Sequence, residues 1–162
     1  KSRGLIFLDI ISHNDPIKKF TEINLNNIEP FTMIILQQGC LYECRWNAEM
    51  RYQKKLDIHQ PHIWSSSTLY NKQVIQKREQ WFHEWLQANQ QTMQHQIFRF
   101  HHFGGDGDAQ NDIRMNRNGE MLTVSITGIE ISGSHATMVY EDLIDETKHL
   151  ITIQQTLTAE TI

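Results

Sequence analysis

The stretch from Asn71 to Leu86, "NKQVIQKREQWFHEWL", constrains the fold more than any other. Val74, Ile75, Arg78, Trp81, Phe82, Trp85 and Leu86 recur at helical spacing, with Gln73, Gln76, Gln80, His83 and Gln87 opposite them. The stripe predicts an amphipathic helix with Asn71 as its N-cap. The aromatic face of that helix has to be buried, so the chain must supply a core around it. On both sides the period changes from helical to alternating.

Upstream, "FTMIILQ" is an apolar run of strand length, and "CLYECRWNA" alternates Tyr42, Cys44 and Trp46 against Leu41, Glu43 and Arg45. Gln38-Gly39 supplies the turn between them. "RYQKKLDI" reads as a third strand and His62 to Ser66 as a fourth. Before these, Arg3 to Ser12 reads as a short helix. "NDPIKKFTEIN" reads as another, with Asn14 or Asp15 as N-cap and Pro16 at the first helical position. Downstream, "TMQHQIFRFHHF" is a second helical stretch ending near Phe103, and "GGDGDAQND" is a loop. Then "EMLTVSITGIEI", "HATMVYEDLI" and "KHLITIQQTL", joined by "SGS" and Asp145-Glu146, suit an antiparallel meander. The expected class is α+β, antiparallel sheets with flanking helices, in a single domain over residues 1–162.

Such a length suits one domain with a real core. With 39% apolar and 21% charged residues the chain is globular. A net charge of −4 argues against nucleic acid as the main partner, because phosphates require a basic face. Lys18-Lys19 and Lys54-Lys55 are short and flanked by acids, and read as solvated surface. No apolar run approaches the ~20 residues of a membrane span. Asp9 interrupts the basic-apolar start, so no signal-peptide pattern forms, and a cytoplasmic location is expected. Cys40 and Cys44, the two cysteines, share one face of a strand roughly 13 Å apart, too far for a disulfide. They read as unbridged thiols.

Several chemical motifs begin and fail. "HEWLQ" starts like a zinc-protease H-E-x-x-H but carries Gln87 at the second histidine position. "DGDAQNDIRMNR" starts like a calcium loop but has Asn111 where glycine makes the turn and Arg117 where a bidentate glutamate belongs. "GDGDAQ" ends on Gln110 and is not a dinucleotide fingerprint. No metal motif and no cofactor motif is complete, and neither group is expected. The densest polar cluster is "FHHFGGDGDAQND", where His101, His102, Asp106, Asp108 and Asp112 either gather around a cation or substrate or form a hydrated turn. In "WSSST", Ser65, Ser66 and Ser67 lack a G-x-S-x-G elbow. They read as small hydroxyls that cap the coming helix or line a pocket at its corner.

Four stretches, in order, resemble the NRDE-motif family, also called transport and Golgi organisation proteins. "SRGLIFLDIIS" looks like its R-G-x-L helix, and "IEPFTMIIL" with "CLYECRWN" like its G-F-N-L strand and the next one. "HIWSSSTLYNKQVIQKREQWF" looks like its L-S-N…W-P-K segment, and "MNRNGEMLTVSITGIEISGSHATMVYED" like its T-R-T-x-T strand and hairpin. The resemblance implies an αββα sandwich similar to N-terminal-nucleophile hydrolases, in which an N-terminal Cys attacks an amide carbonyl. Residue 1 here is Lys and no N-R-D-E occurs, so the chain is expected to be a portion that lacks the segment bearing the Cys. Such a portion would either dimerise or associate with that segment. The resemblance sets Ser65-Ser66 where relatives have Ser-Asn near the oxyanion hole, and Arg117 or Arg114 where they have a later arginine. It implies an amide-bond hydrolase incomplete in this chain. The alternative is a non-enzymatic binding or trafficking module for a small amphipathic ligand such as an acyl group or haem. A third reading is a metal-dependent site on the His/Asp loop.

Overall fold

The computed structural model describes residues 2–66, 68–89 and 94–154. The chain is mixed α and β, with antiparallel sheets, and it divides into two compact units, Lys1–Lys72 and Gln73–Ile162.

In the first unit, helices α1 (Arg3–Ile11) and α2 (Pro16–Glu22) precede strands β1 (Phe31–Gln37), β2 (Cys40–Trp46) and β3 (Arg51–Leu56). Ser2 caps α1, and Asp15 caps α2 with Pro16 in its first turn. Asp15 Oδ1 accepts from the Lys18 N–H at 3.0 Å and from Gln37 Nε2 at 3.2 Å, so the cap also ties α2 to the end of β1. The strands pair antiparallel in the order β1-β2-β3. Gln38 and Gly39 make the first turn with φ of 49° and 71°, the left-handed pair that matches the twist of a two-residue hairpin. Strand alternation sends Met33, Ile35, Cys44 and Trp46 to one face, where Ile6, Ile10 and Phe20 close the core. Trp46 Nε1 donates to the buried Ile28 carbonyl at 2.8 Å. On the other face, Leu36, Leu41 and Leu56 stand opposite one another across the three strands.

In the second unit, α3 (Lys72–Ala88) runs from the unit boundary and is followed by α4 (Gln94–Phe103). The expected apolar stripe of α3 is its protected face. Its ring contacts fall on α4, with Trp85 and Phe100 centroids 5.2 Å apart and Phe82 and Phe100 5.6 Å apart. A small hairpin, β4 (Asn116–Arg117) and β5 (Met121–Leu122), leads into the meander β6 (Ser125–Ser132), β7 (His135–Asp142) and β8 (Thr147–Gln154). Phe98 of α4 packs with Ile126, Val139 and Leu143. Gly128 is required beneath it, because a Cβ there would lie 2.3 Å from the Phe98 ring. The opposite face carries two cross-strand rows, Ile129–Met138–Ile151 and Ile131–Ala136–Ile153, and all four isoleucines are exposed.

Two expectations are corrected. His62 to Ser66 is irregular and pairs with no strand among the described residues. Pro61 lacks a backbone donor, and the His62 ring turns back to the Asp57 carbonyl, 2.8 Å away. The run Glu120–Ile131 is two strands, because Thr123 is drawn into the small hairpin. Its N–H donates to the Met115 carbonyl at 2.8 Å, and its hydroxyl accepts from the Met115 N–H at 2.9 Å. Asn118-Gly119, with φ of 57° and 77°, forms that hairpin's turn. Asn-Gly is a strong hairpin signal that the strand reading passed over. The expected helix start at Thr92 and the end of the last run beyond Gln154 lie outside the described residues. Among the described residues no helix is long and apolar enough to cross a membrane.

Packing of this kind has a measurable cost when broken. Phe20 is fully enclosed, so Phe20→Ala is expected to destabilise the first unit by about 3–5 kcal/mol. Gly128→Ala is expected to cost the second unit about 1–3 kcal/mol through overpacking against Phe98. Urea denaturation followed by the fluorescence of Trp46 and Trp85 checks both, and unchanged midpoints would contradict the packing described.

Candidate functional site

Ser65 and Ser66 lie in the irregular segment after Pro61, in the first unit. They line a groove of about 310 Å³ with Arg3, Phe31, Thr32, Ile34 and Trp64. A neighbouring groove of about 360 Å³ shares Arg3, Phe31, Thr32 and Ile34 and adds Gly4, Phe7 and Met33. The shared residues make the two one trench along β1, polar at the serines and apolar toward Phe7. Arg3 is held at the trench by its Nη1, 3.4 Å from the Pro30 carbonyl, and by Glu29 at 3.5 Å. Its side chain remains about half exposed.

The trench does not contain an activated serine among the described residues. Ser66 Oγ meets Thr68 Oγ1 and the Thr68 N–H, both at 3.5 Å. His62 faces the Asp57 carbonyl and the Trp64 ring, whose centroid is 5.5 Å away. No imidazole accompanies the serines as a base. Ser67 lies outside the described residues. Neither cysteine lines the trench. Cys44 is fully buried, and burial, with Glu43 nearby, pushes its thiol up to about 11. The Lys55 ammonium holds Cys40 below the usual thiol range.

The His/Asp loop and both candidate arginines belong to the second unit. The three aspartates are spent on the loop itself and on its tie to α3. Asp112 Oδ1 accepts from the Asp106 N–H at 3.0 Å. Asp108 Oδ1 accepts from the Gln110 N–H at 3.1 Å, and Asp108 Oδ2 accepts from Asn111 Nδ2 at 2.8 Å. Asp106 Oδ2 lies 2.5 Å from Lys77 Nζ, which holds the Asp106 carboxyl below its usual range. Gly105, at φ 147°, is indispensable here, because a Cβ would meet Asp112 Oδ1 at 2.0 Å. The turn the sequence allowed is therefore built by its own aspartates. Among the described residues, no three His, Cys, Asp or Glu side chains are grouped to hold a metal ion.

The residue that fastens this loop is Arg78, which sequence reading placed on the apolar stripe without a role. It is buried, and its Nη1 donates to the Asn111 carbonyl at 3.0 Å and the Asp112 carbonyl at 2.8 Å. A guanidinium in the middle of an apolar helix face was the available signal, since such a charge must find acceptors.

His101 and His102 part company. His101 is an exposed residue whose ring loses part of its hydration, and that loss, then Arg78 and His102, holds it below the ordinary imidazole range. His102 Nε2 instead reaches Glu141 Oε2 of β7 at 2.7 Å, and Lys148 Nζ reaches the other oxygen at 2.7 Å. Lys148 first, then His102, hold Glu141 below its usual range. Arg114 joins these three side chains around a cavity of about 330 Å³. Arg117 Nε donates to the Gln110 carbonyl at 3.2 Å and so supports the loop.

No family model, curated protein or solved structure matches the chain.

The shifts fix a pH dependence. His101 lies below its ordinary 6.5 in the folded chain. The unfolded state therefore takes up the proton first, and stability falls as pH drops from 6.5 through the folded pKa. Glu141 lies below 4.5. Its contribution is present above that pH and is lost as pH falls through its folded pKa. His101→Gln is expected to flatten the upper part of a plot of Tm against pH, and Glu141→Gln the lower part. Two profiles superimposing on the unmutated one would contradict the assignment.

Proposed function

We propose that the trench along β1 takes the acyl part and amide head of an N-acyl compound, on a scaffold related to the NRDE-motif family and to N-terminal-nucleophile hydrolases. One observation carries the reading. Three of the four stretches that resemble the family send residues to this one trench: Arg3 from the first, Phe31, Thr32 and Ile34 from the second, and Trp64, Ser65 and Ser66 from the third. Arg3 and the hydroxyls suit a polar head, and Phe7, Met33 and Ile34 suit an acyl chain.

The αββα reading has support of its own. Each unit packs helix against one face of a three-stranded antiparallel sheet, and the second face of the β6-β7-β8 sheet carries exposed isoleucines. In this reading the outward isoleucines of β6 and β8 are a surface for a second copy or a further segment to cover.

Catalysis is the point on which two readings of the same trench divide. As a hydrolase, the site needs a cysteine thiol that attacks the amide carbonyl, releases the amine and leaves a thioester for water to cleave to the acid. Cys40 and Cys44 both sit in β2 and away from the trench, so that thiol is supplied by neither. As a binding module, the same trench holds an amphipathic ligand without turnover, and the absence of a base beside Ser66 among the described residues favours this reading.

N-dodecanoylglycine titrated by calorimetry tests the trench. Saturable binding is expected, weakened at least about tenfold by Arg3→Gln through loss of a charge-assisted hydrogen bond. Binding untouched by Arg3→Gln, or none at all, would sink the proposal. Glycine release, followed by amine labelling, then separates the readings: release supports hydrolysis, and retention of the intact amide supports binding alone.

A further inference from the structure

We infer that the second unit carries a separate ligand site, a groove of about 580 Å³ between α3 and α4 that takes a flat aromatic anion. The trench reading is not needed for it. Trp81 and Trp85 of α3 and Phe100 and Phe103 of α4 line the groove, with Trp85 resting on Phe100 at 5.2 Å between ring centroids. Phe103 stands 77% exposed at its rim, an unusual position for a large apolar ring unless something covers it. Gly104 and Gly105 close one end without side chains. The volume falls in the range of small-molecule sites, roughly 300–1,000 Å³. Its walls present aromatic faces for stacking.

Charge selects the ligand. His95, Arg99 and Phe103 follow one another at four-residue intervals, so they share an edge of α4. Both His95 and Arg99 line the groove and are exposed. Among the described residues, Arg99 forms no hydrogen bond or ion pair. The acid of the groove, Glu84, keeps its charge, but one of its oxygens is held within α3 by Gln80 Nε2 at 2.8 Å, and among the described residues it forms no ion pair with Arg99. A cage of tryptophans would otherwise suit a quaternary ammonium. The fixed positive charge of Arg99 disfavours that cation and favours a carboxylate, which a guanidinium can bind with two parallel hydrogen bonds.

The probe is 2-naphthoate, followed by quenching of tryptophan fluorescence, since Trp81 and Trp85 form a wall. Saturable quenching is expected, with neutral 2-naphthamide and cationic 2-naphthylmethylammonium binding at least about tenfold more weakly. Arg99→Gln alters an exposed residue, so the fold is retained, and the preference for the acid over the amide should disappear. The inference is overturned by an absence of saturable quenching, by equal affinity for the three probes, by tighter binding of the cation, or by a preference that survives Arg99→Gln. Failure here leaves the β1 trench untouched, because its titration reads Arg3 and not Arg99.

Discussion

One-sided burial governs both units. Each has a three-stranded antiparallel sheet with helical packing on one face, so alternate residues of the strands beneath it meet different surroundings, whereas β3 and β8 are exposed almost throughout. In the first unit that rule buries Met33, Ile35, Cys44 and Trp46. In the second it buries Ile126 and Val139 and leaves Ile129, Ile131, Ile151 and Ile153 outward. A register slip of one residue would exchange these sets. Of the two grooves, one runs along β1, an outer strand of its sheet, and the other is lined by α3 and α4.

Polar groups in the second unit are largely consumed by construction. Arg78 reaches two loop carbonyls, Lys77 binds Asp106, and Asp108 and Asp112 satisfy backbone and amide donors of their own loop. A buried guanidinium donating to carbonyls is costly to remove, because the carbonyls then lose a partner away from water. The histidines divide by the same logic. His102 found a carboxylate on β7, whereas His101 sits where its charged form is disfavoured. High density of His and Asp therefore reports here on how a glycine-rich turn is held, and chemistry has to be sought where polar groups remain unspent.

Legibility in the sequence followed the range of the forces involved. The helix stripe from Val74 to Leu86, the Asp15 cap and the Gln38-Gly39 turn are local, and each is written in a few residues. Where partners are distant, the sequence is mute. Nothing near His102 names Glu141, and nothing near Arg78 names Asn111. Thr123 shows the competition between the two: its neighbours spell one long strand, but a hydrogen bond pair with Met115 divides it. Ser65 and Ser66 were legible as residues of a corner, while the company of Arg3 and Thr32 at that corner depends on contacts across more than thirty positions.

The chemistry of that corner is set by what stands beside the hydroxyls. A serine hydroxyl at neutral pH is a poor nucleophile until a base accepts its proton. Ser66 has Thr68 as its neighbour and, among the described residues, no imidazole in its groove, while His62 is committed to the Asp57 carbonyl. Turning His62 toward Ser66 would forfeit that contact and its stacking on Trp64. In the proposed reading Ser66 is a hydrogen-bonding group for what enters the trench, and Arg3 supplies the charge. Bond cleavage at such a site requires a nucleophile from elsewhere, whereas binding requires only the groups already facing the groove.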